Sequence, residues 1–389
     1  MKINKITHLF FFRIVFFVIV CTVSLSMHAA DTPDSLSSTR HLKTAKQIYM
    51  TACSACHGAD GRGTSPSLLG FRQELPDFTD CEFASREPDG DWVIVAYYGG
   101  PIRGFSEFMP AFAKILTKDQ LLKAVQYIRN FCTEKSWPRG ELNLPKPQVT
   151  EKAFPEDEAI FFTSFDKDFK RITNKFVYET RFGSRNQIEL SIPYGWNKLT
   201  VMEDSRETSD WSANLGDLAI GYKRVLFHNH RSGSIFSIVG EVILPTGDES
   251  DGLGKGTVVL EPFLVFSQIL SHDFFLHAQA ALEFPLNKDK AENEGLLRIA
   301  FGRSFSFKPY SRTWSPMIEL LASRELGSDG IYLFDIVPQI QVTLNQRQHI
   351  MFNIGVRIPV NQTEGRDIQI LAYILWDWFD GGFFEGWQP

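Results

Sequence analysis

From about residue 158 to the end of the chain, apolar and polar residues alternate in runs of roughly ten residues. The run at 350–360, for example, places apolar side chains on one face of an extended chain and polar or small ones on the other. A soluble β-sandwich also alternates, but its strands are usually about five or six residues long. The run length, together with 34 phenylalanines that suit aromatic girdles, favours a transmembrane β-barrel.

The number of strands follows from the spacing of these runs. About eleven runs occur between residues 172 and 379, and bacterial barrels of this class have even numbers of strands. A further candidate at 158–166 brings the count to about 12, with ten or fourteen as alternatives. The sequence therefore predicts an antiparallel transmembrane β-barrel over residues 158–389. With both barrel ends in the periplasm, the longer or more polar connections face outward: 195–215, 246–255, 287–293, 327–330 and 362–366.

The part of the chain before this barrel has helical periodicity instead. Apolar residues at i, i+3 and i+7 predict a helix over 42–52, and 91–98 reads as a short helix that two glycines end. Thr117 and Gln120 form a T-x-x-Q capping box at the start of a last helix. The chain is therefore expected to contain two domains, one all-α and one all-β.

The first predicted helix leads into Cys53-Ser54-Ala55-Cys56-His57. C-x-x-C-H is the attachment signature of a c-type haem. Two thiols on one helical turn can each form a thioether with a haem vinyl group, and the histidine that follows lies under the ring with a nitrogen aimed at the iron. The alternatives are chance and a C-x-x-C redox pair that happens to precede a histidine. The helices around the motif favour one covalently bound haem c.

The order of these elements resembles class I cytochrome c, and the resemblance covers residues 41–132. It rests on a helix before the motif, a glycine-rich loop at 58–63 after it, a methionine on a later loop and a closing helix. The resemblance implies that Cys53 and Cys56 hold the haem and that His57 is the proximal iron ligand.

By the same resemblance, Met109 in Phe108-Met109-Pro110 is the distal iron ligand. A methionine beside a proline is also a common core filler, which is the alternative. Met50, the other methionine nearby, lies upstream of the motif on the proximal side. With both axial positions filled, the domain is expected to transfer single electrons and not to bind oxygen.

The chain begins with a predicted signal peptide, residues 1–30. A basic start is followed by the apolar run 14–23 and by Ala29-Ala30. Export agrees with a c-type haem, which is attached outside the cytoplasmic membrane. Loss of this segment removes three positive charges, so the formal net charge of −6 becomes about −9. No basic patch remains that would favour a nucleic-acid partner.

Two further cysteines follow the haem motif, Cys81 and Cys132. An even number of remaining cysteines in an oxidising compartment suggests a disulfide, with two buried free thiols as the alternative. Residues 133–157 contain four prolines in a polar stretch with little periodicity. Such a segment is expected to act as a semi-rigid spacer, and it marks the boundary between the domains.

Two stretches of the barrel, 216–223 and 244–248, resemble the outer-membrane barrel family named after the meta-pathway of phenol degradation. Members of that family are thought to be channels or have no assigned role. The chain departs from the usual pattern because it ends in Gly386-Trp387-Gln388-Pro389, without a terminal aromatic residue.

The charged residues of the predicted strands do not suggest catalysis. No nucleophile–base pair stands out, and His228-x-His230 lacks a third metal ligand, so a solvated turn is the better interpretation. The alternation instead predicts lumen-facing charges that neutralise one another or set selectivity: Glu179, Glu189, Lys223, Glu241, Glu261, Glu283, Arg298 and Arg357.

These features predict an outer-membrane-anchored monohaem cytochrome c with its haem domain in the periplasm, an electron carrier more than an enzyme. Its expected partners are a periplasmic redox protein and the lipid of the outer membrane. One alternative is a channel or transporter for a small solute, with a docking or gating cytochrome domain. Another is a fused cytochrome–porin that oxidises an extracellular donor such as ferrous iron. It requires the haem to lie within or against the lumen, since one haem cannot carry electrons across an apolar band about 25 Å tall.

Overall fold

A computed structural model describes most of the chain after the predicted signal peptide. The described residues are 44–71, 75–168, 170–203, 206–249, 252–308, 311–327 and 330–377, without the side chains of 197–210. The signal peptide prediction and the aromatic residues near the C-terminus lie outside this part. No helix within it is long and apolar enough to cross a membrane.

The N-terminal domain is helical, as predicted. Thr44 and Thr117 are the N-caps of its first and last α-helices, and each forms a capping box with the glutamine three residues later. These two helices pack together through Ile48, Leu121 and Ala124, which are buried in one core cluster. The α-helices are α1 Ala45–Ala52, α2 Ser54–His57, α3 Pro66–Leu69, α4 Cys81–Arg86, α5 Asp89–Tyr98 and α6 Lys118–Ile128, with 3-10 turns at Gly100–Arg103, Gly140–Leu142 and Ser271–Asp273.

The C-terminal domain is a closed antiparallel barrel, which confirms the predicted fold class. Its strands pair in chain order, and β14 pairs with β1 to close the ring. Twelve strands form the ring: β1 Glu158–Asp166, β2 Arg171–Phe182, β3 Asn186–Glu203, β5 Leu218–Asn229, β6 Ser234–Leu244, β7 Val259–Ile269, β8 Phe274–Pro285, β9 Glu294–Arg303, β11 Thr313–Glu325, β12 Tyr332–Thr343, β13 Ile350–Pro359 and β14 Gln369–Asp377. Two further strands lie off the ring, β4 Arg206–Leu215 and β10 Phe305–Ser306.

The connection expected as a loop at 195–215 is a β-hairpin. Strand β3 continues beyond the ring, and its outer half pairs with β4 from Tyr194 opposite Leu215 to Glu203 opposite Arg206. A connection of this length carries many backbone donors and acceptors, and pairing two strands satisfies them without further partners.

Side chains alternate between the lipid side and the lumen along each strand. On β7, Leu260 is 40% exposed and faces outward, whereas Glu261 is 8% exposed and faces the lumen. Outward leucines, isoleucines and phenylalanines repeat around the barrel. An apolar exterior on a closed barrel belongs in lipid, which confirms the expected location in the outer membrane.

Residues 142–157 lie inside the barrel, so the expected spacer is instead a plug. Tyr373 and Asn353 donate hydrogen bonds to the carbonyl of Lys146, and the Ser237 hydroxyl donates to that of Ala153 over 2.6 Å. The proline-rich segment has no periodicity because its backbone bonds to side chains of the lumen and not to a regular ladder. We refer to residues 142–157 as the plug.

The helical domain rests on the end of the barrel at which β1 begins. Arg86 on α4 forms an ion pair of 2.9 Å with Asp157 at the end of the plug. Gly140 packs against the same helix so closely that a β-carbon there would lie 1.8 Å from the carbonyl oxygen of Arg86. On the other side, His349 of the turn between β12 and β13 lies 3.0 Å from Glu87. The two domains are therefore in direct contact.

Candidate functional site

The four residues predicted to bind haem line a single cavity of about 380 Å³ in the helical domain. Cys53 caps the end of α1, and α2 carries Cys56 and His57. Met109 reaches the same cavity from the loop after α5. Much of the remaining wall is apolar or aromatic and includes Phe78, Trp92, Val95, Phe112, Leu121 and Ile128. The structure thus brings the attachment motif and the proposed distal methionine to one space.

His57 has the properties of a metal ligand. Its Nδ1 is buried and makes no hydrogen bond. Burial lowers the pKa of its imidazole to about 4, so the ring is neutral near pH 7 and can offer a lone pair. The ring also packs against Phe78, with 5.0 Å between the centroids. A neutral imidazole whose Nδ1 has no hydrogen-bond partner, beside two thiols, fits haem iron.

The two thiols do not have the properties of a redox-active pair. Cys53 and Cys56 are unbridged and half-buried. Burial, and secondarily the neighbouring Cys56, raises the pKa of Cys53 to about 11. Reactive C-x-x-C cysteines have a lowered pKa, since the thiolate is the nucleophile. This difference disfavours the alternative of a redox-active C-x-x-C pair.

The glycine-rich loop after the motif is held in place by Tyr49. The phenolic hydroxyl of Tyr49 donates a hydrogen bond of 2.6 Å to the carbonyl of Gly58, and burial raises the pKa of that hydroxyl. At Gly61 φ is +81°, and a β-carbon would lie 2.6 Å from the Phe131 ring. The chain can pass this close to Phe131, which follows α6, only without a side chain.

The loop that carries Met109 is tied to α5. The Gly100 amide donates to the carbonyl of Met109 over 2.9 Å, and the Phe112 amide donates to that of Ala96 over 3.0 Å. Met109 is half-buried at the cavity wall. Its position is compatible with the predicted distal ligand, since its thioether is the one that lines the cavity among the described residues.

Cys81 and Cys132 form the disulfide that the cysteine count predicts. Their Cα atoms are 5.0 Å apart, and the bridge ties the start of α4 to the segment after α6. Near it, the Arg129 guanidinium lies 3.8 Å from the centroid of the Trp92 ring, and its Nε lies 2.8 Å from Asp89. The elements that form one side of the cavity are therefore cross-linked.

Sequence reasoning missed three residues of the cavity wall. Arg103 lies in the 3-10 turn after α5, whereas Arg347 and His349 belong to the barrel turn between β12 and β13. The barrel residues are more than 230 positions from Met109 in the chain, so no local pattern connects them with the haem motif. The only signal in the sequence was that the turn with Arg347 and His349 is basic and lies at the barrel end expected to face the periplasm.

The predicted solvated turn at His228 has a definite contact. The Nε2 atom of His228 lies 3.2 Å from the carbonyl oxygen of Ser136, next to the guanidinium of Arg185, whose Nε donates to the same oxygen. No group of three metal-ligating side chains in the described part of the chain includes this histidine.

One of the lumen charges predicted from alternation, Lys223, meets a partner on the plug. Glu179 and Lys223 are fully buried in the lumen. The ammonium of Lys223 lies 3.4 Å from Glu151, which also pairs with Lys146 at 2.9 Å, both on the plug. Because a buried charge requires a partner, the pair between Lys223 and Glu151 joins the lumen wall to the plug.

Comparisons with known proteins agree with both domains. Residues 42–131 match the family model described as Cytochrome c, and residues 162–367 match the one described as MetA-pathway of phenol degradation. No curated protein sequence matches the chain.

Solved structures similar to this chain include an outer membrane channel from Pseudomonas putida F1, with 10% identity, a TM-score of 0.41, and coverage of 60% of this chain and 99% of that one. The KdgM porin in complex with disordered oligogalacturonate has 10% identity, a TM-score of 0.37, and coverage of 57% and 98%. The NanC porin has 7% identity, a TM-score of 0.38, and coverage of 56% and 98%. Since the barrel-family model spans more than half of the chain, this protein belongs to the MetA-pathway of phenol degradation family, and it carries an N-terminal cytochrome c domain.

Proposed function

We propose that the chain is an outer-membrane-anchored monohaem cytochrome that transfers single electrons. The observation that carries the proposal is the convergence of Cys53, Cys56, His57 and Met109 on one apolar cavity. A haem c bound there supplies a one-electron iron couple. The fusion to a barrel anchors that couple at the membrane, with the haem domain on the periplasmic side. A soluble redox protein of the periplasm is the natural partner.

Each of the four residues has a distinct part in this proposal. Cys53 and Cys56 hold the haem through thioethers, and the neutral imidazole of His57 is the proximal iron ligand. Met109 would be the distal ligand, and a second protein ligand on the iron would favour electron transfer over oxygen binding. Methionine and histidine ligation raises the reduction potential relative to histidine alone. The aromatic wall excludes water and limits the reorganisation that accompanies each electron.

The plug argues for an anchor over an open channel. The lumen is occupied by residues 142–157, whose amides and carbonyls are bonded to inward side chains such as Glu319 and Gln187. Small solutes would have to displace this segment. The barrel of the resting protein is therefore proposed not to conduct.

A second candidate function is the oxidation of a donor outside the cell through the barrel. One observation favours it: Arg347 and His349 of a barrel turn line the same cavity as the haem motif. The haem would then lie against the mouth of the barrel, and oxidation of an external donor requires that position. A donor such as ferrous iron, bound within the barrel from the outer side, would have the haem as the next acceptor.

Vesicles containing the purified full-length protein distinguish the two functions. A membrane-impermeant reductant is added outside, to protein inserted with either the haem domain or the β3–β4 hairpin outward, and haem absorbance is followed. The anchored carrier predicts fast reduction only when the haem domain faces the reductant. Equal reduction from the hairpin side would favour the second function. Absence of covalent haem from the mature protein would refute both.

A further inference from the structure

One wall of the haem cavity carries two arginines, one from each domain. Arg103 comes from the helical domain, and Arg347 comes from the turn between β12 and β13. The rest of the lining is largely apolar. Haem carries two carboxylate side chains, which require cationic or polar partners when they are removed from water.

Arg103 has a hydrogen-bond donor without an acceptor. The side chain is only 4% exposed, its Nη2 lies 2.8 Å from Asp91, and its Nη1 donates to the carbonyl of Gln346 over 3.2 Å. Its Nε is buried and has no hydrogen-bond partner. A buried donor left unsatisfied is destabilising, since it has lost its hydrogen bond to water. An acceptor in the cavity would remove this destabilisation.

Arg347 is placed beside Arg103 by contacts between the domains. Its Nη2 donates to the carbonyl of Gly104 over 3.3 Å, and its guanidinium carbon lies 4.8 Å from the centroid of the Phe105 ring. The neighbouring Gln346 amide donates to the carbonyl of Ile102 over 3.1 Å. The barrel turn is thus bonded to the loop 100–105 of the helical domain at several points.

The other charged groups at this wall are paired across it. Asp91 pairs with Arg103, and Glu87 lies 3.0 Å from the Nε2 of His349. The wall therefore carries two arginines, Arg103 and Arg347, beside two carboxylates, and His349 adds a further polar group. The unsatisfied Nε of Arg103 is a donor from which an anionic group in the cavity could accept a hydrogen bond.

We propose that Arg103 and Arg347 bind the carboxylate side chains of the haem, so that a turn of the barrel completes the haem site. This inference rests on the proposed function. The barrel is then more than an anchor, because the charge of its turn acts on the iron. A positive charge near the haem favours the reduced form, so Arg347 raises the reduction potential.

The test measures the haem reduction potential of the full-length protein in detergent as a function of pH. Arg347→Gln should lower the ratio of ferrous to ferric haem at a fixed potential by about threefold or more, since one charge is lost at short range. It should also move the carboxylate-dependent titration of the potential to higher pH. Arg347→Lys keeps the charge and should retain most of the potential. Arg231→Gln, in an exposed turn at the same end of the barrel but outside the cavity lining, is the matched control.

Three results of this experiment would contradict either the role of Arg347 or the proposed function. An Arg347→Gln protein with normal covalent haem, normal absorption and the potential of the control would overturn the inference while leaving the proposed function intact. If Arg347→Lys lowered the reduction potential as much as Arg347→Gln, the inference would also be overturned, because a packing defect and not the charge would be responsible. A mature protein without covalent haem would instead refute the proposed function.

Discussion

Removal of the Glu319 side chain is expected to release the middle of the plug. The carboxylate of Glu319 accepts hydrogen bonds from the amides of Gln148 at 2.8 Å, Val149 at 3.1 Å and Thr150 at 2.7 Å. It also accepts from the hydroxyl of Thr150 at 2.7 Å and from the amide of Gln339. No other lumen side chain in the described part of the structure holds three consecutive plug amides.

The free energy that Glu319→Ala removes from the bound plug can be estimated from these hydrogen bonds. In Glu319→Ala the amide of Gln148 keeps the Gln339 oxygen as an acceptor at 3.0 Å. The amides of Val149 and Thr150 lose theirs, and each unsatisfied buried donor costs about 1–3 kcal/mol. The bound plug is therefore destabilised by about 2–6 kcal/mol. Water that enters the lumen can bond to the two amides, which brings the value toward the lower end of this range. Since about 1.4 kcal/mol is a factor of ten, the plug opens locally at least about thirtyfold more often.

The assay is ion conductance in planar lipid bilayers. The unmodified protein should be closed, and Glu319→Ala should show frequent openings. Glu261→Ala is the matched control, because Glu261 also faces the lumen but has no hydrogen bond to the plug. An electrically silent Glu319→Ala barrel, with normal folding by heat-modifiable gel mobility, would refute the role assigned to these bonds. Conductance of the control equal to that of Glu319→Ala would refute it as well.

The other predictions concern the helical domain. Met109→Ala should keep covalent haem but lose the sulfur–iron charge-transfer absorption at the red end of the spectrum, and an unchanged spectrum would remove Met109 as the distal ligand. Replacing both Cys53 and Cys56 by alanine should abolish covalent haem, as judged by haem staining of denatured protein. The double alanine variant of Cys81 and Cys132 should lose about 2–4 kcal/mol of stability in denaturant unfolding. Thiol titration of the unfolded, unreduced mature protein should find no free thiol, and two thiols would contradict the bridge.

The fusion changes how each domain can work. A barrel with an open lumen would conduct, and a cytochrome on a free tether would exchange electrons without regard to the barrel. Here the segment between the domains enters the lumen, and the turn at 344–349 contacts the loop of Arg103. The barrel therefore contacts the rest of the chain in two places, through the plug in its lumen and through this turn.

The sequence by itself determined the ring strands, the starts of the capped helices and the haem-attachment motif. A period of two residues places strands such as β7 and β13 to within a few positions, because one face must meet lipid along the whole strand. Capping boxes at Thr44 and Thr117 locate helix starts through bonds made within four residues. The C-x-x-C-H motif needs only one helical turn to present its groups. Each of these features depends on neighbours in the chain.

Only the tertiary structure decided what the segment at 142–157 does and what completes the cavity. The plug amides bond to side chains such as Glu319, about 170 positions away, so the segment carries no repeat that a sequence pattern could reveal. Arg347 reaches the haem cavity only because the closed ring of strands brings the β12–β13 turn under the helical domain. Contacts of this kind arise from ring closure and domain docking, and local propensity does not encode them.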